Sequence, residues 1–370
     1  MGKKEFDFLT IVSGDDGGGA QQTQFNIVSE LISQQKRCYV IIITKKTDGR
    51  WESLEDKCKI TYFPFKSHFL GFLLLGPFLL YLFSVKRFQY IFSSQTLINS
   101  MIGSVKRVGV LRNTKVIARE SNSIFQLISG YKLKRYAIAY KVGYPGVDLI
   151  ICQTSHMKNN LLKALPWITK KTKVCVLSNP VNFKDIEIKS KEIIPGLDKE
   201  KYIVAAGRLV DAKGFDILIN VYAKIREDLN GCKLFILGEG EKRKELERQI
   251  NDLGLNKDVV LKGMVSNVYP YFKNARLCVM SSRIEGFPNV LLQMMSQNEN
   301  VVTTLSAGDI DSIPNIVTCP SNDEAKLAKA ILECYNSGTI NNRSVYDRFL
   351  KERNLNHFVN KIIDIADGTN

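Results

Sequence analysis

Two short stretches in the C-terminal half carry residues that could hold a phosphate and a sugar. In the first, GRLVDAKGF (residues 207–215), Arg208 and Lys213 stand five residues apart on one loop. A guanidinium offers a planar fork of donors and an ammonium a compact point charge, so the two can reach one oxyanion from different directions. Gly207 lets the chain turn off the strand-like run before it, and Gly214 opens the helical pattern after it. In the second, SSRIEGFPNVLLQMMS (residues 281–296), Glu285 precedes a Gly286-Phe287-Pro288 turn. Pro288 fits the first helical position, and Val290, Leu291, Leu292, Met294 and Met295 carry the helix onward. A helix start carries about half a positive charge and several unpaired N–H donors, which suits a phosphate. An ionised glutamate beside it accepts hydrogen bonds only, which suits sugar hydroxyls. Taken singly, these are also ordinary surface cations and an ordinary strand-to-helix turn with a solvated glutamate. Together they point to a diphosphate held between two loops.

Such loops need a scaffold. The C-terminal half alternates strand-like runs (202–206, 232–237, 259–262, 277–280) with helical ones (215–225, 242–253 and the stretch after Pro288). The N-terminal half does the same, with strands at 7–13, 38–44, 59–62, 90–93, 115–118, 147–152 and 173–177 and helices at 20–34, 97–105 and 124–140. Alternation of this kind predicts a parallel sheet with helices on both faces, built twice. A chain of 370 residues also exceeds what one ordinary core serves. The expected division is an N-terminal domain over 1–178, a linker over 179–198 beginning at Ser-Asn-Pro, and a C-terminal domain over 199–345. A final helix within 346–370, apolar at Phe358, Ile362, Ile363 and Ile365, is expected to pack back on the first domain.

The N-terminal half has its own candidates. A glycine loop, GDDGGG (14–19), joins the first strand to the first helix, with Gly18 and Gly19 at its end. It is either a close-approach loop for sugar or phosphate or a plain flexible turn, since its spacing is not G-x-G-x-x-G. Glu120 and Asn122 end another strand, where ligands of open α/β sheets bind; Ser121, Asn122 or Ser123 could equally cap the helix that follows. The run HFLGFLLLGPFLLYLFS (68–84), flanked by Lys66, Lys86 and Arg87, is shorter than the roughly 20 residues of a membrane span. It reads as a helix lying in a membrane surface through Phe69, Phe72, Phe78 and Tyr81, or as a buried core helix.

Charge sides with the surface. The formal net charge is +15, and residues 1–178 hold all of it, with 26 Lys and Arg against 11 Asp and Glu. A one-sided positive field implies an anionic partner, a lipid surface or nucleic acid, or merely a soluble basic domain; no nucleic-acid recognition motif accompanies it. The N-terminus is not a secretory signal, and Phe6 stands where a myristoylation site needs Ser or Thr. Eight scattered cysteines without a C-x-x-C pair imply a reducing compartment and no structural zinc. His68, His156 and His357 have no ligand spacing.

The pattern G-R-L-x-x-x-K-G-F-D-x-L-I, then L-x-I-L-G-E-G, V-x-L-K-G and S-x-x-E-G-F-P-N-V-L-L, resembles the retaining glycosyltransferases of GT-B fold, family four. It covers residues 200–305 closely and the N-terminal half weakly. The resemblance implies two Rossmann-like doubly wound domains facing across a cleft. It further implies that Arg208 and Lys213 bind the donor diphosphate, that Glu285 contacts the donor sugar, that the N–H groups of Asn289 and Val290 meet the phosphates, and that the loop at Gly263 passes near the base. The family's second glutamate, usually bound to ribose, is replaced here by Gln293, and where the family often has a catalytic-side histidine this chain offers Glu120. The implied reaction moves a hexose from a nucleoside-diphosphate sugar, UDP-linked, to a saccharide acceptor with retention, using neither metal nor cofactor. Asp309-Ile-Asp311 resembles a manganese D-x-D but follows the donor motifs and reads as a loop.

With its greasy basic first half, the chain is expected at the inner face of the cell membrane, on the cytoplasmic side, extending a lipid-linked saccharide in polysaccharide or glycan biosynthesis. The rivals are a non-catalytic partner subunit of another transferase, which Gln293 favours, and a UDP-sugar epimerase of the same double architecture.

Overall fold

The computed structural model describes residues 4–15, 18–47, 49–337 and 341–369, and divides into two units, Met1–Pro180 with Leu355–Asn370, and Val181–Asn354. Asp16 and Gly17 of the glycine loop, and Met1 and Gly2, lie outside the described residues.

The first unit runs β1 (Lys4–Val12), α1 (Gly19–Ser33), β2 (Cys38–Ile42), β3 (Lys59–Tyr62), α2 (His68–Val85), β4 (Lys86–Ser93), α3 (Thr96–Arg107) and β5 (Lys115–Glu120). It continues through α4 (Ile124–Leu127), α5 (Gly130–Gly143), β6 (Leu149–Cys152), α6 (Ser155–Ala164) and β7 (Lys173–Val176). Its seven strands are parallel in the order β3-β2-β1-β4-β5-β6-β7. Period-two alternation sends Leu9 and Ile11 to the α2 and α3 side and Phe8 and Val12 to the α1 side, so the strand is apolar on both faces.

The second unit runs α7 (Phe183–Lys189), β8 (Tyr202–Ala206), α8 (Phe215–Ile225), β9 (Lys233–Leu237), α9 (Arg243–Asp252), β10 (Val259–Gly263), α10 (Tyr269–Asn274) and β11 (Leu277–Met280). It ends with α11 (Asn289–Gln297), β12 (Val301–Thr304), β13 (Val317–Cys319), α12 (Glu324–Asn336) and α13 (Arg343–Lys351). Six parallel strands order as β10-β9-β8-β11-β12-β13. The chain's last helix, α14 (Leu355–Asp367), belongs to the first unit. There it buries Leu355, Phe358, Val359, Ile362 and Ile365, Asn356 donates to Glu30 (2.8 Å), and Asp367 accepts from Tyr90 (2.6 Å).

Several expected boundaries differ. The stretch 179–198 is no bare linker: Asn182 caps α7 by accepting from the Asp185 N–H at 3.2 Å, and the division falls at Pro180. The expected helix over 124–140 splits into α4 and α5 at Ile128 and Ser129, both extended, before Gly130 at φ +62°. Pro288 caps α11 instead of opening it. The short strands β12 and β13 were not expected.

The greasy run forms one helix, α2, with Pro77 inside it. One stripe, Gly71, Leu75, Leu79, Leu82 and Phe83, is buried on the sheet, and each of its larger side chains contributes about 1.5–3 kcal/mol. Gly71 is required there, because a Cβ would lie 1.8 Å from the Ile43 carbonyl oxygen. The opposite side is apolar and exposed: Phe69 (64%), Leu73 (56%) and Tyr81 (64%). Phe72 and Phe78, expected on that exposed face, pack against the core instead, Phe78 edge-on to Phe63 at 5.2 Å. Lys86 lies half-buried with its ammonium over the Phe6 and Tyr39 rings (5.1 and 5.7 Å), whereas Arg87 is exposed.

Candidate active site

In the second sheet the strand order reverses between β8 and β11, and in open α/β sheets the crevice outside the carboxyl ends at such a point is where ligands bind. The loop 207–214 leaves β8 and the loop 281–288 leaves β11, so the two stretches that carry the chemistry meet at this edge.

They interlock through backbone. The Arg283 N–H donates to the Ala212 oxygen (2.8 Å) and the Ser281 hydroxyl to the Lys213 oxygen (3.0 Å). Gly214 sits at φ +61°, and a Cβ there would come 2.4 Å from the Ser281 oxygen, so glycine alone permits the approach. On the other side, the Gly207 N–H donates to the Leu237 oxygen (2.9 Å), the Leu209 N–H to the Glu239 oxygen (2.9 Å), and the Gly238 N–H to the Gly263 oxygen (2.8 Å). Gly263 is left-handed at φ +75°, with a Glu239 oxygen 3.1 Å from where its Cβ would be. Four strand-end loops are thus one connected edge.

On it, the Lys213 ammonium is ion-paired with the Glu285 carboxylate, which also accepts from the Ser282 hydroxyl at 2.8 Å; both partners are about four-fifths covered. Glu285 is further fixed by its own N–H, which donates to the Ser306 oxygen (2.7 Å). Arg208 is exposed and has no ion-pair partner among the described residues. At the start of α11 the Val290 N–H has no acceptor within the helix. Gly286 and Phe287 are buried, Phe287 at 7% exposure in the core under α11, so Phe287 shapes the turn from beneath. Gln293 is half-buried and donates to the Tyr269 hydroxyl at 3.4 Å; burial pushes that phenol up to about 12. This edge can bind an anion beside a hydroxyl-rich group.

Sequence reading missed Arg283, which makes a two-point bond to Asp216. The signal was there: a basic residue two before Glu285 and an acidic one right after the Lys213-Gly214-Phe215 turn.

The first sheet reverses between β1 and β4, and several polar side chains at that edge bond to one another. Ser13 accepts hydroxyl-directed bonds from Gln95 and, at 3.3 Å, Gln21, and its carbonyl lies 2.8 Å from His68 Nδ1. Asp15 accepts from the Thr47 and Gly49 N–H groups (3.1 and 3.2 Å). Gly18 caps α1 with an ordinary φ of −62° and Gly19 is the first helical residue. Glu120, expected at the ligand edge, is instead 2% exposed in the core, accepting from the Tyr144, Tyr140 (2.7 Å) and Thr96 (3.4 Å) hydroxyls. Burial pushes its carboxyl above the usual range, against those three bonds. Beside it, Arg119 is fully buried and donates to Asn179 Oδ1 (2.5 Å); burial pulls its guanidinium down to about 10. Among the described residues no group of three His, Cys, Asp or Glu could hold a metal; Asp309 and Asp311 flank the core residue Ile310 in the turns between β12 and β13.

Two parallel-sheet α/β units with the chemistry at a strand-order reversal define the GT-B fold of glycosyltransferases. Anabaena HepE, solved with UDP and glucose, superposes with a TM-score of 0.78 at 18% identity, over 98% of this chain and 99% of that one. The lipopolysaccharide outer core galactosyltransferase WaaB superposes at 0.69 and 15% identity, over 99% of each chain. The model of the family described as Glycosyl transferases group 1 matches residues 200–337. In sequence, an uncharacterized glycosyltransferase of Methanocaldococcus jannaschii is 30% identical over 217 residues, 57% of this chain and 52% of that protein. The N-acetylgalactosamine-N,N'-diacetylbacillosaminyl-diphospho-undecaprenol 4-alpha-N-acetylgalactosaminyltransferase of Campylobacter jejuni is 35% identical over 162 residues, 44% of this chain and 42% of that protein. The chain thus spans about half the length of the curated relatives it matches.

Proposed function

We propose that this protein transfers a sugar from a UDP-linked donor to a saccharide acceptor, with retention at the anomeric carbon, in the assembly of a polysaccharide or glycan. The observation that carries this is the joining of loops 207–214 and 281–288, which sets Arg208, Lys213, Glu285 and the start of α11 on one edge. Arg208, Lys213 and the helix start stabilise the negative charge that develops on the departing diphosphate. Glu285, held by Lys213 and Ser282, accepts from the donor sugar's hydroxyls. The diphosphate oxygen takes the acceptor's proton on the same face, so the reading calls for no protein nucleophile, metal or cofactor. Gly207 and Gly263 keep the strand ends open to a nucleotide, and Gln293 offers an amide to the ribose. The HepE complex with UDP and glucose, and the transferase activity in the Campylobacter relative's name, support the reading. Incubation with radiolabelled UDP-sugars and saccharide acceptors tests it: transfer is expected from wild type and about a hundredfold more slowly from Glu285→Gln. Equal inertness of both with every donor would favour the non-catalytic partner subunit, and product changed only at a sugar carbon would favour the epimerase.

The acceptor in this proposal is lipid-linked, as the diphospho-undecaprenol substrate in the Campylobacter relative's name suggests, and is met at the cytoplasmic face of the membrane. Supporting it, the exposed apolar side of α2 and the basic surface of α5 (Lys132, Lys134, Arg135) belong to the same helical layer of the first unit, on either side of α3. Aliphatic and aromatic side chains beside lysines and arginines match the interface of an anionic bilayer. Sedimentation with anionic liposomes is expected to carry the protein down and neutral liposomes to leave it in solution.

A further inference from the structure

Arg283 stands two residues before Glu285, on the loop that leaves β11, and reaches the other loop's helix. Its Nη1 donates to Asp216 Oδ1 (2.7 Å) and to the Asp211 carbonyl (2.8 Å), and its Nη2 donates to Asp216 Oδ2 (2.6 Å). Asp216 is in the first turn of α8, three residues after Lys213. Burial would raise the Asp216 carboxyl, but the Arg283 bonds and charge outweigh it and hold it below the usual range. The same bonds raise the guanidinium above its ordinary value. The Arg283 side chain is 23% exposed and that of Asp216 42%, so this is a partly covered, two-point ion pair.

We infer that Arg283 is a positioning residue for the donor site, an inference that rests on the nucleotide-sugar reading above. The loop carrying Glu285 and the loop carrying Lys213 have different parent strands, and the backbone-directed bonds between them, from the Arg283 and Ile284 N–H groups to the Ala212 oxygen and from Ser281 to the Lys213 oxygen, would leave them free to rock about one contact line. A planar fork on a carboxylate fixes orientation as well as distance, which a lysine's point charge does not. With Arg283 clamped on Asp216, Lys213 and Glu285 meet at one spacing, and the diphosphate and the sugar of one donor fall within reach of both. Arg283 itself spends its donors on Asp216 and Asp211 and acts only through its neighbours.

The test compares wild type, Arg283→Gln, Asp216→Asn, the double variant and Arg283→Lys as full chains. UDP and uridine affinities are measured by calorimetry, and amide hydrogen exchange is followed over 211–214 and 281–286. Each single variant is expected to bind UDP about tenfold more weakly with uridine affinity unchanged, because only the diphosphate depends on the loop register. The double variant is expected to be no weaker than the worse single, the mark of two residues acting through one another, and Arg283→Lys to fall between. Exchange in Arg283→Gln is expected to quicken in the two loops and nowhere else. UDP affinity unchanged in Arg283→Gln, an equal loss for uridine, or single effects that multiply in the double variant would each overturn the assignment. If wild type binds no UDP, the donor reading falls, and with it the role; if wild type binds UDP while loop exchange in Arg283→Gln is unchanged, only the clamp falls.

Discussion

Both sheets reverse their strand order near the middle, and the two crevices are furnished in opposite ways. Between β8 and β11 the loops present an exposed Arg208, a Lys213–Glu285 pair and a helix start. Around the end of β1 several polar groups bond to one another, Gln95 and Gln21 donating to Ser13 and the Thr47 and Gly49 N–H groups to Asp15, while at the end of β5 Tyr140 and Tyr144 donate to Glu120; Ser93 Oγ and Ser94 Oγ at the end of β4 are buried without a hydrogen-bond partner among the described residues. The contrast runs against the charge count, since residues 1–178 hold the whole excess of fifteen positive charges and residues 179–370 are neutral. On the proposed reading, net charge marks the unit that would meet an extended anionic surface, whereas a single phosphate would be met by Arg208 and Lys213 at a strand edge.

The sharpest way to break this contrast is to remove the cations. Arg208→Ala with Lys213→Ala is expected to abolish transfer and weaken UDP binding at least a hundredfold, each charge-assisted contact being worth about 1.5–3 kcal/mol. UDP affinity in calorimetry that survives the double change would move the donor site off this edge. Glu285→Gln comes next: it removes the charge on the sugar side while keeping the shape, and is expected to lower turnover by about a hundredfold with a smaller change in UDP affinity. Equal losses in both would assign Glu285 to nucleotide binding through Lys213.

The same contrast predicts a division within α2. Phe69→Ser and Tyr81→Ser, on the exposed side, are expected to cut partition into anionic liposomes about tenfold with the melting temperature unchanged. Phe72→Ser, whose ring packs on the core, is expected to lower the melting temperature instead. Unchanged partition of the first two would leave α2 without its membrane role.

Legibility followed how each element is buried. The strands β8 and β11 and the helix α8 were readable to the residue because a strand buried on both faces and a one-faced helix have distinct apolar periods. The strands β12 and β13 were not, because VVTT and VTC are only four and three residues long and carry threonine beside their few apolar residues. In α2 both sides are apolar, so composition could not say that Phe72 turns inward and Phe69 outward; Gly71 against the Ile43 carbonyl decides it. In the site, residue type revealed Arg208, Lys213 and Glu285, but the Arg283–Asp216 bond joins positions 67 apart, and only the fold brings them together. Glu120 was misplaced for a related reason: a strand-end carboxylate reads the same whether it faces a ligand or three hydroxyls.

Glu120 gives a smaller effect with a definite sign. Burial holds its carboxyl above the ordinary value of 4.5 in the folded unit, so the folded state holds the proton more tightly than the unfolded one. Its contribution to stability is fully present below pH 4.5 and is lost as pH rises through the raised value. Glu120→Gln is expected to flatten the fall in melting temperature over that range, by about 2–4 °C for each kcal/mol recovered. A parallel pair of pH profiles would mean the carboxyl titrates at its ordinary value.

The finest contrast lies within the second unit, between the two ends of a bound donor. At the proposed diphosphate end the side chains offered, Arg208 and Lys213, are charged; at the proposed ribose end Gln293 offers a neutral amide, already hydrogen-bonded to a Tyr269 hydroxyl that burial keeps protonated. A carboxylate at 293 could accept from both ribose hydroxyls and from Tyr269, and a charged acceptor makes a hydrogen bond roughly twice as strong as a neutral one. It would also bring a negative charge toward the α11 turn that carries the diphosphate, which offsets part of the gain. Gln293→Glu is therefore expected to tighten uridine binding about three- to fivefold and UDP binding by less, with turnover unchanged. Calorimetry with both ligands measures the difference directly: tighter uridine with unaltered UDP places the ribose at Gln293 and the diphosphate within range of its charge, whereas no change in either removes residue 293 from the donor site.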